Sequence, residues 1–124
     1  MSAAPLVPAH IEAEATVIGA ILVHGPALDS VADLIRPEHF EQRLYGRAFG
    51  ALVALHERGE PLELVSLRRE LEREAPLEPT AMATLAETMD GVPRVVDAAH
   101  WGRMIRERAR RRTLVALAER LAAL

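Results

Sequence analysis

The sequence predicts an all-α fold, a small bundle of about six helices that forms a globular head, with a long C-terminal helix. Apolar residues recur every three or four positions over most of the chain, and Pro and Gly interrupt them at intervals that suit short packed helices. Only residues 62–65 resemble a strand, and that segment is too short for a sheet. With 124 residues, half of them hydrophobic, the chain fits one domain with a modest core.

Proline and glycine set the bounds of the first three predicted helices. Helix one spans about residues 11–24, and helix two spans about residues 26–35, before Pro37. The position preceding a proline disfavours helical backbone, which explains this second boundary. Helix three spans about residues 43–58 and ends at Gly59, a residue type common just past a helix end.

Polar residues mark the starts of the last three predicted helices. We expect Ser66 to be the N-cap of helix four, and Thr80 to begin helix five, which ends near Gly91. Helix six extends from about Val95 to the last residue without a breaking residue, and we expect Asp97 to be its N-cap. It is therefore much longer than the usual three to four turns.

We predict the core residues from the apolar sides of these helices. Its members are large apolar side chains at helical spacing: Ile18, Leu22, Phe40, Phe49, Leu52, Leu55, Leu85 and Trp101.

Helix six has two apolar faces that point in different directions. Trp101 and Ile105 lie on one side, which Arg108 and Arg112 continue. A second stripe, spaced three, four and three residues, lies roughly opposite: Leu114, Leu117, Leu121 and Leu124. Because this spacing is that of a short coiled-coil seam, we predict that the stripe is a self-association surface and supports at least a weak dimer.

Charge is distributed unevenly along the chain. The net charge is −3, yet residues 103–112 contain six Arg and one Glu, so this segment carries +5 and the remainder −8. Three of these arginines share a face and a fourth flanks it, which suits a phosphate backbone or an acidic partner: Arg103, Arg106, Arg110 and Arg111. The alternative is a solvated face, since all fifteen basic residues of the chain are Arg. The acidic remainder predicts at most weak, non-specific DNA binding.

The sequence predicts no catalytic, cofactor-binding or metal-binding residues. A phosphate-binding loop needs a Lys, and the chain has none, so we expect no enzymatic activity from this chain alone. Its five His are scattered, and we expect Glu12 and Glu14 to interact with the macrodipole of their own helix. The absence of cysteine and of a long apolar run favours a cytoplasmic protein with no membrane role.

Several segments together resemble the N-terminal domain of the DnaB-type replicative DNA helicases. The resemblance covers about residues 8–116 and depends on apolar, Pro and Gly positions: residues 8–22, Pro37-Glu38-His39-Phe40, Phe49, Leu52, Leu55, Gly59-Glu60-Pro61, Leu64-Val65-Ser66-Leu67, residues 101–105 and Arg112-Thr113-Leu114-Val115.

The resemblance implies a non-catalytic helical collar at residues 9–124, preceded by a tail at residues 1–8. In that family the long helix is the first arm of a helical hairpin, and hairpins of two subunits pair, so we expect the chain to end within that arm. The implied partners are other copies of the chain and a primase or helicase loader, within an ATP-dependent helicase whose ATPase domain is absent here. Two alternatives stay open, the helicase-interacting C-terminal domain of a primase and a small DNA-binding regulator that uses the arginine-rich helix.

Overall fold

The computed structural model describes residues 9–92 and 97–124, which form six α-helices and one 3-10 turn. The elements are α1 (Ala9–Val23), α2 (Ala27–Val31), the 3-10 turn (Pro37–His39), α3 (Arg43–Glu57), α4 (Leu64–Glu74), α5 (Ala81–Glu87) and α6 (Ala98–Ala122). The predicted tail at residues 1–8 and the predicted helix start at Val95 lie outside the described ranges. None of the described helices is long and apolar enough to cross a membrane.

Helix α1 is the centre of the head, because it packs against α2, α3, α5 and α6. Its side chains are buried on several sides, including Ala13, Val17, Ile18 and Ile21. At Gly19 the α1 backbone approaches the segment after α5 so closely that a Cβ would lie 1.9 Å from the carbonyl oxygen of Thr88. Only glycine fits at this crossing.

A buried carboxylate joins α1 to the start of α3. Glu14, only 1% exposed, accepts hydrogen bonds of 2.8 Å and 2.9 Å from the backbone N–H groups of Glu41 and Gln42. These groups precede the first turn of α3, where backbone donors have no partner within the helix. The expectation that Glu14 interacts with its own helix was therefore wrong, since its carboxylate binds the N–H groups at the start of α3 instead.

The same carboxylate also affects a neighbouring side chain. Burial, together with the nearby carboxylates of Glu14 and Glu87, raises the pKa of the Tyr45 phenol.

Backbone carbonyls at the C-terminal ends of α3 and α4 accept hydrogen bonds. Gly59 has a φ of +71°, and the N–H groups of Gly59 and Glu60 donate to the carbonyls of His56 and Leu55, which is a Schellman motif. This confirms the predicted end of helix three. At the end of α4, the Arg47 guanidinium donates to the carbonyls of Leu71, Ala75 and Pro76 at 3.0–3.4 Å.

The predicted core is confirmed except for one member. Seven of its residues are buried: Ile18, Leu22, Phe40, Phe49, Leu52, Leu55 and Leu85. Trp101 is only half-buried and packs against the edge of the core. The side of α6 that faces α1 and α2 consists of the smaller residues beside Trp101.

Three predicted helix boundaries need correction. Glu63 precedes α4, and Ser66 is a buried residue inside that helix rather than its N-cap, so residues 64 and 65 are helical and not a strand. Thr80 does precede α5, although its side chain makes no capping hydrogen bond, and α5 ends at Glu87, four residues before the predicted end near Gly91. Helix α2 ends at Val31, four residues earlier than predicted, because the chain must turn toward Pro37.

Candidate interaction surface

The first half of α6 is fixed to the head by a face of small residues. Asp97 is its N-cap, as predicted, and accepts a 3.1 Å hydrogen bond from the N–H of His100. The buried face consists of Ala98, Gly102, Ile105 and Ala109. A Cβ at Gly102 would lie 3.0 Å from the Val31 side chain, so this glycine allows α6 to approach α2 closely.

The second half of α6 projects beyond the head. Arg112 is the last partly buried residue, and residues 113–124 are all exposed. Since α6 has 25 residues and rises about 1.5 Å per residue, it is about 37 Å long, and roughly its last three turns are free of the head.

The predicted self-association residues lie on this projecting part, and we call them the leucine stripe. The relative exposures of Leu114, Leu117, Leu121 and Leu124 are 66%, 46%, 69% and 100%. Val115, beside the stripe, is 56% exposed. A contiguous apolar surface of this kind on a small domain usually marks a binding site.

The predicted arginines lie on the first half of the same helix. Arg103, Arg110 and Arg111 are exposed, and Arg106 is partly buried. Within residues 9–92 and 97–124, no carboxylate pairs with Arg103, Arg106 or Arg110. Arg111 differs, because its Nε lies 3.8 Å from a carboxylate oxygen of Glu107. We call Arg103, Arg106 and Arg110 the arginine face.

The arginine face and the leucine stripe form one line along α6. Their positions, 103, 106, 110, 114, 117, 121 and 124, are separated by three or four residues throughout, so they stay on one side of the helix. The buried positions follow a different line. Sequence reasoning identified both halves but treated them as separate features, although the unbroken spacing was readable from the sequence.

Within the part of the chain that the structure describes, the other sequence motifs do not assemble into a metal site. Among the residues that the structure describes, no three or more His, Asp or Glu side chains come together in a way that would hold a metal ion. His56 makes one contact with a carboxylate, 3.4 Å from Asp29, and both side chains are exposed.

Comparison with known proteins gives a consistent result. A family model described as the DnaB-like helicase N-terminal domain matches residues 6–107. The chain is 31% identical over 116 residues to the replicative DNA helicase DnaB of Geobacillus stearothermophilus, and 29% identical over 118 residues to the replicative DNA helicase DnaC of Bacillus subtilis. These alignments cover 93% and 94% of the chain but only 26% of either relative, so the chain spans about a quarter of their length.

Solved structures share the fold. The N-terminal domain of DnaB helicase from Mycobacterium tuberculosis superposes with a TM-score of 0.82 at 27% identity, covering 91% of this chain and 83% of that one. The corresponding domain from Helicobacter pylori, described together with its interactions with primase, superposes with a TM-score of 0.79 at 16% identity, covering 92% of this chain and 89% of that one. At that identity the second likeness concerns the fold alone.

Proposed function

Because this chain belongs to the family of DnaB-like helicase N-terminal domains, we propose that it is the non-catalytic assembly and docking domain of a replicative DNA helicase. In this proposal it mediates association between copies of the chain and offers a surface to a primase or a helicase loader. The observation that carries the proposal is the projecting half of α6, which presents the leucine stripe to solvent. The proposed location is the cytoplasm, consistent with a chain that contains no cysteine.

Self-association is proposed to occur through the leucine stripe. Helix α6 is proposed to be the first arm of a helical hairpin, and residues 9–124 to be the collar domain. A leucine side chain that leaves water contributes about 1.5–3 kcal/mol, so covering even part of the stripe favours association. The seam has only four positions, and we therefore expect a weak dimer.

The docking role is supported by the fold, since a domain of the same fold, that of Helicobacter pylori, was described with its interactions with primase. The test is calorimetric titration of this chain with the helicase-binding domain of a bacterial primase. We expect a saturable complex that is weakened at least about tenfold by Leu114→Glu with Leu117→Glu, and unchanged by Val65→Glu, which alters an exposed apolar residue on α4. Absence of binding to primase and loader proteins alike would contradict the docking role.

A further inference from the structure

A cleft on the head lies between α3 and the segment that joins α4 to α5, and we call it the head cleft. Its volume is about 460 Å³, which is within the range of clefts that bind ligands, about 300–1,000 Å³. Leu44 lines it from α3, and Leu77 and Ala81 line it from the other side. No residue of α6, all of which the structure describes, contributes to the lining. A ligand of the head cleft would therefore not touch the leucine stripe.

The wall of the head cleft opposite α3 is held in place by Arg47. Its guanidinium donates hydrogen bonds of 3.0–3.4 Å to the carbonyls of Leu71, Ala75 and Pro76. The backbone of Ala75 is extended, with φ −163° and ψ 155°. Because this wall is formed before anything binds, a ligand loses less conformational entropy of the protein on binding.

The same wall has backbone groups without a partner. Within residues 9–92 and 97–124, the N–H groups of Leu77 and Glu78 donate no hydrogen bond, and the carbonyl of Leu77 accepts none. An extended peptide pairs with such groups in the way that a strand is added to the edge of a sheet. The wall therefore suits a peptide backbone better than a small molecule.

Two arginines of α3 make the head cleft positive. Arg43 is exposed and pairs with no carboxylate in the part of the chain that the structure describes. The hydrogen bonds of Arg47 go to neutral carbonyls, and its buried Nε has no acceptor among the described residues. Against these two positive charges the described lining has one negative charge, that of Glu78. The cleft therefore favours a carboxylate.

An adjoining cavity limits how acidic the ligand can be. This cavity shares Arg43 and Arg47 with the head cleft, but it is also lined by three glutamates, Glu38, Glu41 and Glu74. Their charges would repel a second carboxylate or a row of phosphates beside the first. The surroundings of the two arginines therefore select a ligand with a single negative charge.

We propose that the head cleft binds an extended peptide segment of a partner protein, with one acidic side chain against Arg43 and apolar side chains against Leu44, Leu77 and Ala81. The carboxylate accepts hydrogen bonds from the exposed Arg43 and interacts with Arg47 through its charge. The peptide backbone pairs with the unpartnered groups of the wall. This inference goes beyond the assembly role proposed above, because it needs neither self-association nor the leucine stripe.

Nucleic acid and small organic acids fit the head cleft less well than a peptide does. Successive phosphates would meet the three glutamates of the adjoining cavity, and they offer nothing apolar to the leucines. A small organic acid would leave the backbone groups of Leu77 and Glu78 without a partner.

The proposal can be tested with short designed peptides as probes. Each probe has about seven residues, in which Ser alternates with one Glu and two Leu, so that the Glu and both Leu lie on one side of an extended chain. Acetylated and amidated ends leave the Glu side chain as the only carboxylate. A second probe has the reverse order, because a peptide can lie in either direction. Two control probes replace Glu by Gln, or both Leu by Ser.

Binding of the probes to the full chain is measured by fluorescence anisotropy at physiological salt. We expect the preferred order to bind with a Kd below about 1 mM, and each control probe to bind at least about tenfold more weakly. In the NMR spectrum of the protein, the amide signals of Leu77 and Glu78 should shift on binding. The amide signal of Val65, an exposed residue on α4, should not.

The informative variant of the protein is Arg43→Glu. Glutamate is favourable in the first turn of a helix, so α3 should be retained, and circular dichroism verifies this. The matched control is Arg69→Glu, which makes the same change in net charge at an exposed position of α4 outside the head cleft. We expect Arg43→Glu to weaken the preferred probe by about tenfold or more, and Arg69→Glu by less than about twofold because salt screens distant charges.

Four results would overturn the proposal. They are no binding of either order at about 1 mM, equal binding of the Gln probe, equal losses in the two variants, and an oligonucleotide or acetate that displaces the probe and binds more tightly. Sedimentation of the chain without probe tests the assembly role separately. A monomer that binds the preferred probe would contradict the proposed dimer and support this inference. A dimer that Arg43→Glu disrupts and that binds no probe would show that a second copy, not a partner protein, occupies the cleft.

Discussion

The guanidinium of Arg112 donates a 2.8 Å hydrogen bond to the backbone carbonyl of His39, a residue 73 positions earlier in the chain. His39 is itself held in place, since its Nδ1 accepts a 3.0 Å hydrogen bond from the N–H of Arg36. Beyond Arg112 every residue of α6 is exposed. This contact is therefore the point at which the projecting half of α6 leaves the head, and it helps to set the direction of the leucine stripe.

Removing this contact should destabilise the head. A hydrogen bond to a charged group contributes about 1.5–3 kcal/mol, so we expect Arg112→Ala to lower the free energy of unfolding by about 1–2 kcal/mol, since the site is only partly buried. Urea unfolding followed by circular dichroism measures the change. Arg110→Ala, on an exposed position of the same helix, is the control and should cost less than about 0.5 kcal/mol. Equal losses in both variants would show that the Arg112 contact contributes nothing specific.

The carboxylate of Glu14 should be necessary for the start of α3. Glutamine has one carbonyl oxygen, so in Glu14→Gln one of the two backbone donors, on Glu41 or Gln42, would face an NH₂ group instead. We expect a loss of about 1–3 kcal/mol in the free energy of unfolding. Glu12→Gln, an exposed residue in the first turn of α1, is the matched control and should change stability by no more than about 0.5 kcal/mol. A Glu14→Gln protein as stable as the control would contradict the capping role.

Phe49 should be a principal source of core stability. It is 1% exposed, and its ring centroid lies 5.3 Å from that of Phe40. Phe49→Ala should cost about 3–5 kcal/mol, a large part of the stability of a small domain. Chemical denaturation measures this loss, with Val65→Ala on the surface of α4 as the control. A loss under about 1 kcal/mol would mean that the core has been placed wrongly.

The pH dependence of stability should reflect Glu70. Hydrogen bonds from Arg58 lower the pKa of this carboxyl, since they favour its ionised form in the folded state. Its contribution is therefore fully present above the pKa of an unfolded-state glutamate, about 4.3, and is lost as the pH falls through the lower folded-state value. We expect Glu70→Gln to reduce stability at pH 7 and to make the decline toward acid pH shallower than in the wild type.

The matched control for Glu70 is Glu78→Gln, which removes one exposed carboxylate from the segment before α5. Urea unfolding at several pH values between about 3 and 7 compares the three proteins. Parallel stability curves for the wild type and Glu70→Gln would contradict the role of the Arg58 contact.

Local patterns in the sequence were sufficient to predict most of the fold. The apolar spacing identified the helices, and Gly59 and Asp97 marked the end of α3 and the start of α6 because turn and cap chemistry acts within a few residues. Ser66 was misassigned as an N-cap because its residue type is common at such positions. Ser66 is buried inside α4 because of tertiary packing, and no local sequence pattern indicates that burial.

Contacts between distant segments could not be predicted from local patterns. Glu14 looks like an ordinary acidic residue in a first helical turn, and only the packing of α1 beside α3 directs it to the N–H groups of residues 41 and 42. The bond between Arg112 and His39 depends likewise on where the 3-10 turn lies. The exposure of the leucine stripe was predictable from the sequence. The stripe lies on a different side of a straight helix from the buried residues, so its side chains cannot reach the core.

The most direct test of the central claim, that the leucine stripe is an assembly surface, is sedimentation equilibrium over a wide range of protein concentration. The wild type is compared with Leu117→Glu plus Leu121→Glu, and with Val23→Glu plus Val65→Glu, which places the same charges on exposed apolar residues outside α6. We predict a weak, concentration-dependent dimer for the wild type and the Val23/Val65 variant, and a monomer for the Leu117/Leu121 variant. A wild type that stays monomeric at the highest concentration, or a dimer that survives both charges in the stripe, would contradict the claim.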